Sequence, residues 1–197
     1  MKKNILIPVI AIVAAACLLF GLTAALEGIA AKNVDSVMKV TMEAMLPGST
    51  TFVEEAYTGE DANIVTAWKG ETGFVVATRT YGYADEISML IGVSNEGKVV
   101  GLCVTDMHET LGLGFNGLTD WEFLARFLNT TGDVAIDTSG ADAFSGATGE
   151  TSAGTETYVD GITGATVTSK AIARSVNSAV GYVTGADADT GATSWGG

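Results

Sequence analysis

The chemistry this sequence offers lies in a run of small and hydroxyl residues, Asp160-Gly-Ile-Thr163-Gly164-Ala165-Thr166-Val167-Thr168-Ser169, followed directly by an amphipathic pattern. A helix N-terminus carries N–H groups without intrahelical partners and a partial positive charge, and both favour a phosphate. Gly164 and Ala165 let the backbone approach such a group closely. Thr166 supplies a hydroxyl that can bond to it, and Thr168 and Ser169 are residues that cap helices. Lys170, read into the first turn where the dipole disfavours a cation, suits neutralising a bound phosphate. By spacing alone, a capped surface helix without a ligand is the commoner outcome, because capping residues stand at most helix starts.

The tetrapeptide [ST]-G-A-T occurs three times, ending at Thr148, Thr166 and Thr193. The first copy lies in a polar stretch and the third near the chain end. Only the middle copy leads into a helix, so Thr166 is the chemically placed hydroxyl. A second Gly-rich run, His108-Glu109-Thr110-Leu111-Gly112-Leu113-Gly114-Phe-Asn-Gly117, contains G-x-G-x-x-G, the dinucleotide-binding spacing. That motif needs a parallel βαβ unit around it, whereas here the preceding strand belongs to a hairpin and a polar loop follows. His108 reads as a surface loop residue. One His and two distant cysteines, Cys17 and Cys103, exclude a zinc or iron–sulfur site within this chain.

The elements that must hold these residues can be read outward from them. Ser169–Thr184 places Ile172, Val176, Ala179, Val180 and Val183 at helical spacing, and Gly185 is a C-terminal stop. Phe74–Thr80, Ile87–Ser94 and Val99–Asp106 are strand-like, the last two joined through Asn95-Glu96-Gly97 as a hairpin. Thr119–Leu128 reads as a short helix on the sheet, and Val34–Met45 as an amphipathic helix with Val34, Val37, Met38, Met42 and Met45 at helical spacing. Asn129–Thr157 is too poor in large apolar groups to build core. The fold class expected is α+β, with a twisted, mainly antiparallel sheet flanked by helices. The domains expected are an anchor over 1–26, a linking helix over 27–48, a main domain over 49–185 with a polar loop at 135–157, and a tail over 186–197.

The N-terminal segment bears on location. Ile5–Leu26 is 22 residues without a charge in a chain of 197, roughly 33 Å as a helix and long enough to span a bilayer core. It is too long for the apolar core of a cleaved signal peptide, and Leu18-Leu19-Phe20 continue past the lipoprotein-like Ala-Ala-Ala-Cys17. Lys2 and Lys3 put the N-terminus in the cytoplasm and the main domain outside. Beyond the anchor lie 8 of the 10 basic and all 23 acidic side chains, a net of −15. Such a domain repels nucleic acid.

The Asp160–Ser169 run resembles the flavinylation motif of the FMN-binding subunits of the Rnf and sodium-pumping NADH:quinone reductase complexes. His108–Gly114 resembles that family's H-x-E-T-P-G-L-G segment, with Leu111 where the family usually has Pro. Leu46-Pro47-Gly48, Tyr81-Gly82-Tyr83 with Glu86-Ile87, and the anchor also resemble it. The likeness implies one FMN joined by a phosphoester to Thr166, made from FAD by a dedicated flavin transferase. It implies a cofactor site of Thr163, Gly164, Ala165, Thr166, Val167, Thr168 and Ser169, with Glu109 and Thr110 at the polar edge of the ring and Leu111, Gly112 and Leu113 against it. It implies an electron-relay role in a membrane-bound ferredoxin:NAD oxidoreductase that moves sodium ions or protons, with integral-membrane iron–sulfur and flavin subunits as partners. Length and anchor favour the Rnf member of the family, its G subunit, over the quinone-reductase counterpart. A free-standing extracellular flavoprotein is a further redox reading, and an acidic surface module without flavin is the non-redox one.

Overall fold

A computed structural model describes residues 36–137 and 157–185. The expected anchor, the middle of the polar loop and the tail lie outside the described residues, together with Thr148 and Thr193. Among the described residues no helix is long and apolar enough to cross a membrane. The chain divides into two units, Met1–Thr41 and Met42–Gly197, and the second holds the sheet and the site.

Residues 36–45 form α1. Five strands follow, β1 (Val53–Glu55), β2 (Ile64–Lys69), β3 (Gly73–Tyr81), β4 (Glu86–Ser94) and β5 (Val99–Met107), each antiparallel to the next in the order β1-β2-β3-β4-β5. The three strands read from sequence stand where expected, extended by a residue or two. The turn after Ser94 closes through Gly97 N–H to the Ser94 carbonyl. β1 and β2 lie outside the strand-like runs of the sequence because neither alternates cleanly. β1 is only three residues long and its Val53 is exposed, and β2 carries a register irregularity between Ile64 and Thr66.

Two short helices follow, α2 (Gly114–Thr119) and α3 (Trp121–Ala125), where one was expected over Thr119–Leu128. Asp120 divides them: it is extended, and its side chain accepts the Glu122 N–H at 2.9 Å as the cap of α3. The stretch read as an uninterrupted polar loop begins and ends in strands, β6 (Val134–Asp137) and β7 (Thr157–Asp160), which pair in parallel. Val134 and Val159 are the apolar groups that bury them. The last helix, α4 (Thr166–Thr184), starts three residues before its expected Ser169 and ends at Gly185, which has φ +69.

β4 is buried along most of its length because both faces of the sheet are covered. Ile87, Met89, Ile91 and Val93 face a core shared with Ile172, Val176, Ala179 and Val180 of α4 and with Phe123 and Phe127. The other face is crossed by Val75, Gly92 and Gly101, aligned by register on β3, β4 and β5. A Cβ on Gly92 or Gly101 would lie 1.9 or 2.4 Å from the Met45 carbonyl oxygen, so these two glycines form a notch that seats the backbone at the end of α1. Met42 and Leu46 are buried there, whereas Val37, expected on the apolar face of the same helix, is 65% exposed. The buried part of α1 is therefore its last turn.

Buried polar side chains bind α4 to its neighbours. Thr80 of β3 donates to the Ala171 carbonyl at 3.1 Å and shares a hydrogen bond with Ser175 at 3.0 Å. Asn177 both accepts from Val134 N–H at 2.9 Å and donates to its carbonyl at 3.1 Å, satisfying the edge of β6. Helix and parallel strand pair are thus fixed together, and the chain leaving β7 must turn sharply into α4.

Candidate functional site

That turn is the centre of the site. Gly161 N–H donates to Asp137, continuing the β6–β7 pairing, and Arg126 holds the Asp160 carbonyl at 3.3 Å. Ile162 to Ala165 then form a turn closed by Ala165 N–H to the Ile162 carbonyl at 2.9 Å. Gly164, its third residue, has φ +79, a conformation that glycine adopts without a steric cost. The glycine of the tetrapeptide serves the turn.

Ala165 is the N-cap of α4, and no side chain caps the helix. The expectation that Thr168 and Ser169 do so fails because the helix begins upstream of both, so each hydroxyl is turned to other work. Ser169, fully buried, donates to the Ala165 carbonyl at 3.0 Å and accepts the Ile162 N–H at 3.0 Å. Thr168, also buried, donates to Glu109 Oε2 at 3.2 Å. Lys170 is the fifth residue of the helix rather than part of its opening, and it is exposed and away from the cleft.

A second turn of the same build faces the first. Leu113 N–H donates to the Thr110 carbonyl at 3.2 Å, Phe115 N–H joins it at 3.1 Å, and Gly112, third in this turn, has φ +82. Leu111 is its second residue, a position where Pro is favoured. The turn closes without Pro, and Leu111 stands 77% exposed on its outer side. The G-x-G-x-x-G run is therefore a turn followed by the six-residue α2, and the strand before it pairs antiparallel with β4.

Between the two turns lies a cleft of about 310 Å³ lined by Tyr83, Glu109, Thr110, Leu113, Gly114 and the segment Gly164 to Thr168. Nine of these ten residues come from the two runs singled out in the sequence, which lie some fifty residues apart. Thr163, Leu111, Gly112 and Ser169 do not line it: the first three are on the outer sides of their turns and the last is beneath the helix. Gly114 and Tyr83 were not expected. Gly114 is the next residue of the Gly-rich run, and Tyr83 follows the end of β3 within the tripeptide Tyr81-Gly82-Tyr83. His108 is exposed, with Nδ1 3.8 Å from Asp85. Cys103 is half-buried on β5, and burial pushes its thiol pKa up, which disfavours the thiolate.

This geometry fits a phosphorylated cofactor. No side chain caps the 19-residue helix, its first residues line the cleft, and the half-buried Thr166 places a hydroxyl at that end; a helix start of this kind favours an anion. Leu113 and Tyr83 supply apolar and aromatic surface on the opposite wall. Residues 82–181 match the FMN-binding domain family. The chain belongs to that family, and both halves of the cleft lie within the matched span. It is 32% identical over 114 residues to the G subunit of the proton-translocating ferredoxin:NAD(+) oxidoreductase complex of Clostridium ljungdahlii, covering 56% of this chain and 53% of the relative. It is 28% identical over 154 residues to the G subunit of the Na(+)-translocating ferredoxin:NAD(+) oxidoreductase complex of Acetobacterium woodii, covering 78% and 65%. The matched part thus spans between half and two thirds of the length of these curated relatives.

Proposed function

We propose that this chain is the electron relay, equivalent to those G subunits, of a membrane-bound, ion-translocating ferredoxin:NAD+ oxidoreductase of the Rnf kind, carrying one FMN esterified through its phosphate to Thr166. One observation carries the attachment site. Of the four hydroxyls in Thr163–Ser169, those of Thr168 and Ser169 are engaged by protein partners and Thr163 is outside the cleft. Thr166 is left at the mouth of the uncapped helix. The two named relatives support the wider role.

Loading needs a flavin transferase and FAD. The Thr166 oxygen attacks the FMN-side phosphorus, the pyrophosphate bond breaks, AMP leaves and the hydroxyl proton passes to solvent. The N–H groups at the start of α4 bind the phosphate oxygens. Leu113 and Tyr83 shield the ring, with Glu109 and Thr110 beside it. When bound, FMN supplies one- and two-electron transfer, and the protein's part is to hold and orient it. A covalent tether suits a domain outside the cytoplasm, where a lost cofactor is not replaced. The partners are integral-membrane iron–sulfur and flavin subunits, and the anchor at 5–26 holds the domain beside them.

The test is the full chain, co-produced with a flavin transferase and run on a denaturing gel under ultraviolet light. The wild-type band is expected to fluoresce, Thr166→Ser to keep the signal and Thr166→Ala to lose it. A dark wild-type band overturns the proposal. A fluorescent Thr166→Ala band moves the attachment elsewhere, with Thr148 and Thr193 next in line.

A further inference from the structure

Glu109 is the one charged residue among the buried polar side chains described, 9% exposed in a chain with 23 acidic groups. Among the described residues no Lys, Arg or His forms an ion pair with it. A buried carboxylate without a cation is costly unless hydrogen-bond donors surround it. Here the donors come from distant parts of the chain. Oε1 accepts Tyr83 N–H at 2.8 Å and Ala84 N–H at 3.3 Å, and Oε2 accepts the Thr168 hydroxyl at 3.2 Å. The space is cut to fit: a Cβ on Gly82 would fall 2.0 Å from Oε1, and one on Gly114 2.7 Å from Oε2.

We infer that Glu109 is a positioning residue: its carboxylate ties the Tyr83–Ala84 turn and the first turn of α4 to the loop that carries it, and so sets the width of the cleft and the place of Thr166. Its hold on Thr168 also keeps the neighbouring hydroxyl out of competition for the phosphate. The functional half of this inference rests on the proposed attachment to Thr166, and the structural half does not. Three protein donors converge on its two oxygens, so the role inferred is to fix the walls.

The experiment uses the full chain and four variants with three readouts. Amide hydrogen exchange of the 82–85 segment is followed in protein made without flavin transferase, and the rate of covalent FMN incorporation is followed after adding transferase and FAD. Glu109→Ala is expected to speed exchange and slow incorporation, each about tenfold or more, the scale for losing hydrogen bonds to a charged acceptor. Glu109→Gln keeps an acceptor for both amides and a polar partner for Thr168, and is expected to restore both readouts to within about threefold. Thr168→Val removes one arm only and should slow incorporation while leaving exchange at 82–85 near wild type. Peptide mapping of Glu109→Ala reads whether label moves from Thr166 to Thr168. Gly112→Ala, on the outer side of the facing turn, controls for general loosening. Unchanged exchange in Glu109→Ala overturns the inference, as does faster exchange with normal incorporation, or failure of Glu109→Gln to rescue. If wild type takes no flavin, the proposed function falls, and the exchange data alone decide whether Glu109 holds the walls.

Discussion

Ser169 Oγ receives the N–H of Ile162 at 3.0 Å while donating to the Ala165 carbonyl at 3.0 Å. The second turn of α4 thus reaches back over the chain that leads into the helix and holds both ends of the Ile162–Ala165 turn. Ser169→Ala leaves the Ile162 N–H without a partner in a half-buried place. It is expected to lower stability by about 1–3 kcal/mol in urea unfolding and to reduce FMN incorporation at an unmutated Thr166. Ser169→Thr, which keeps the hydroxyl, should recover part of the loss.

Gly164→Ala combines two costs. The residue has φ +79, and its new Cβ would lie 3.1 Å from Leu113 Cδ2 on the facing wall. A left-handed L-residue costs about 1–2 kcal/mol, and the Leu113 contact adds crowding within the cleft. Gly112→Ala has the same kind of backbone strain, with nothing within 4 Å of the Cβ. A larger destabilisation and a larger loss of flavin incorporation in Gly164→Ala than in Gly112→Ala is the expected pattern, read by thermal melts and in-gel fluorescence.

Leu111→Pro should stabilise the protein. Leu111 is second in a turn closed by Leu113 N–H to Thr110, and its own N–H has no backbone partner among the described residues. Pro suits that position and reduces the freedom of the unfolded chain, a gain of about 0.4–1 kcal/mol where the native backbone accepts it. A lower melting temperature would show that the turn's φ differs from the proline value.

Gly92→Ala tests the notch on the far face of the sheet. A Cβ 1.9 Å from the Met45 carbonyl oxygen requires the backbone there to move. Overpacking of this kind costs about 1–3 kcal/mol. The melting temperature should fall, while the folded fraction still takes up FMN at Thr166, because the cleft is built on other elements.

Tyr182 sets an alkaline limit. Burial, then the hydrogen bond from its hydroxyl to Glu55 at 3.0 Å and the charge of that carboxylate, push its pKa from 10.0 up to about 12. A folded pKa above the unfolded value means stability that is complete below pH 10.0 and lost as pH rises through about 12. Ultraviolet titration should show a tyrosine ionising late, and Glu55→Gln should bring it down and flatten the alkaline fall in stability.

The strands with strong apolar periodicity, the Gly97 turn, the end of α4 at Gly185 and the two runs that meet at the cleft are legible in the order of residues alone. These rest on local rules: alternation, helical spacing, and glycine where φ must be positive. The residue order also places Thr166 just ahead of a helix, the feature on which the proposed attachment depends. Which hydroxyl is left over depends on long-range contacts. Thr168 and Ser169 look like caps in one dimension. They are instead drawn inward by Glu109, 59 residues from Thr168, and by the Ile162 turn, so the helix begins earlier and uncapped. β6 and β7 were hidden for a related reason. Their few apolar groups suffice because Asn177 of α4 satisfies the strand edge, a contact 43 residues long that no local pattern announces. Local preference sets where chain direction changes, while the pairing of buried polar groups, which is long-range, sets what each hydroxyl at the site is free to do.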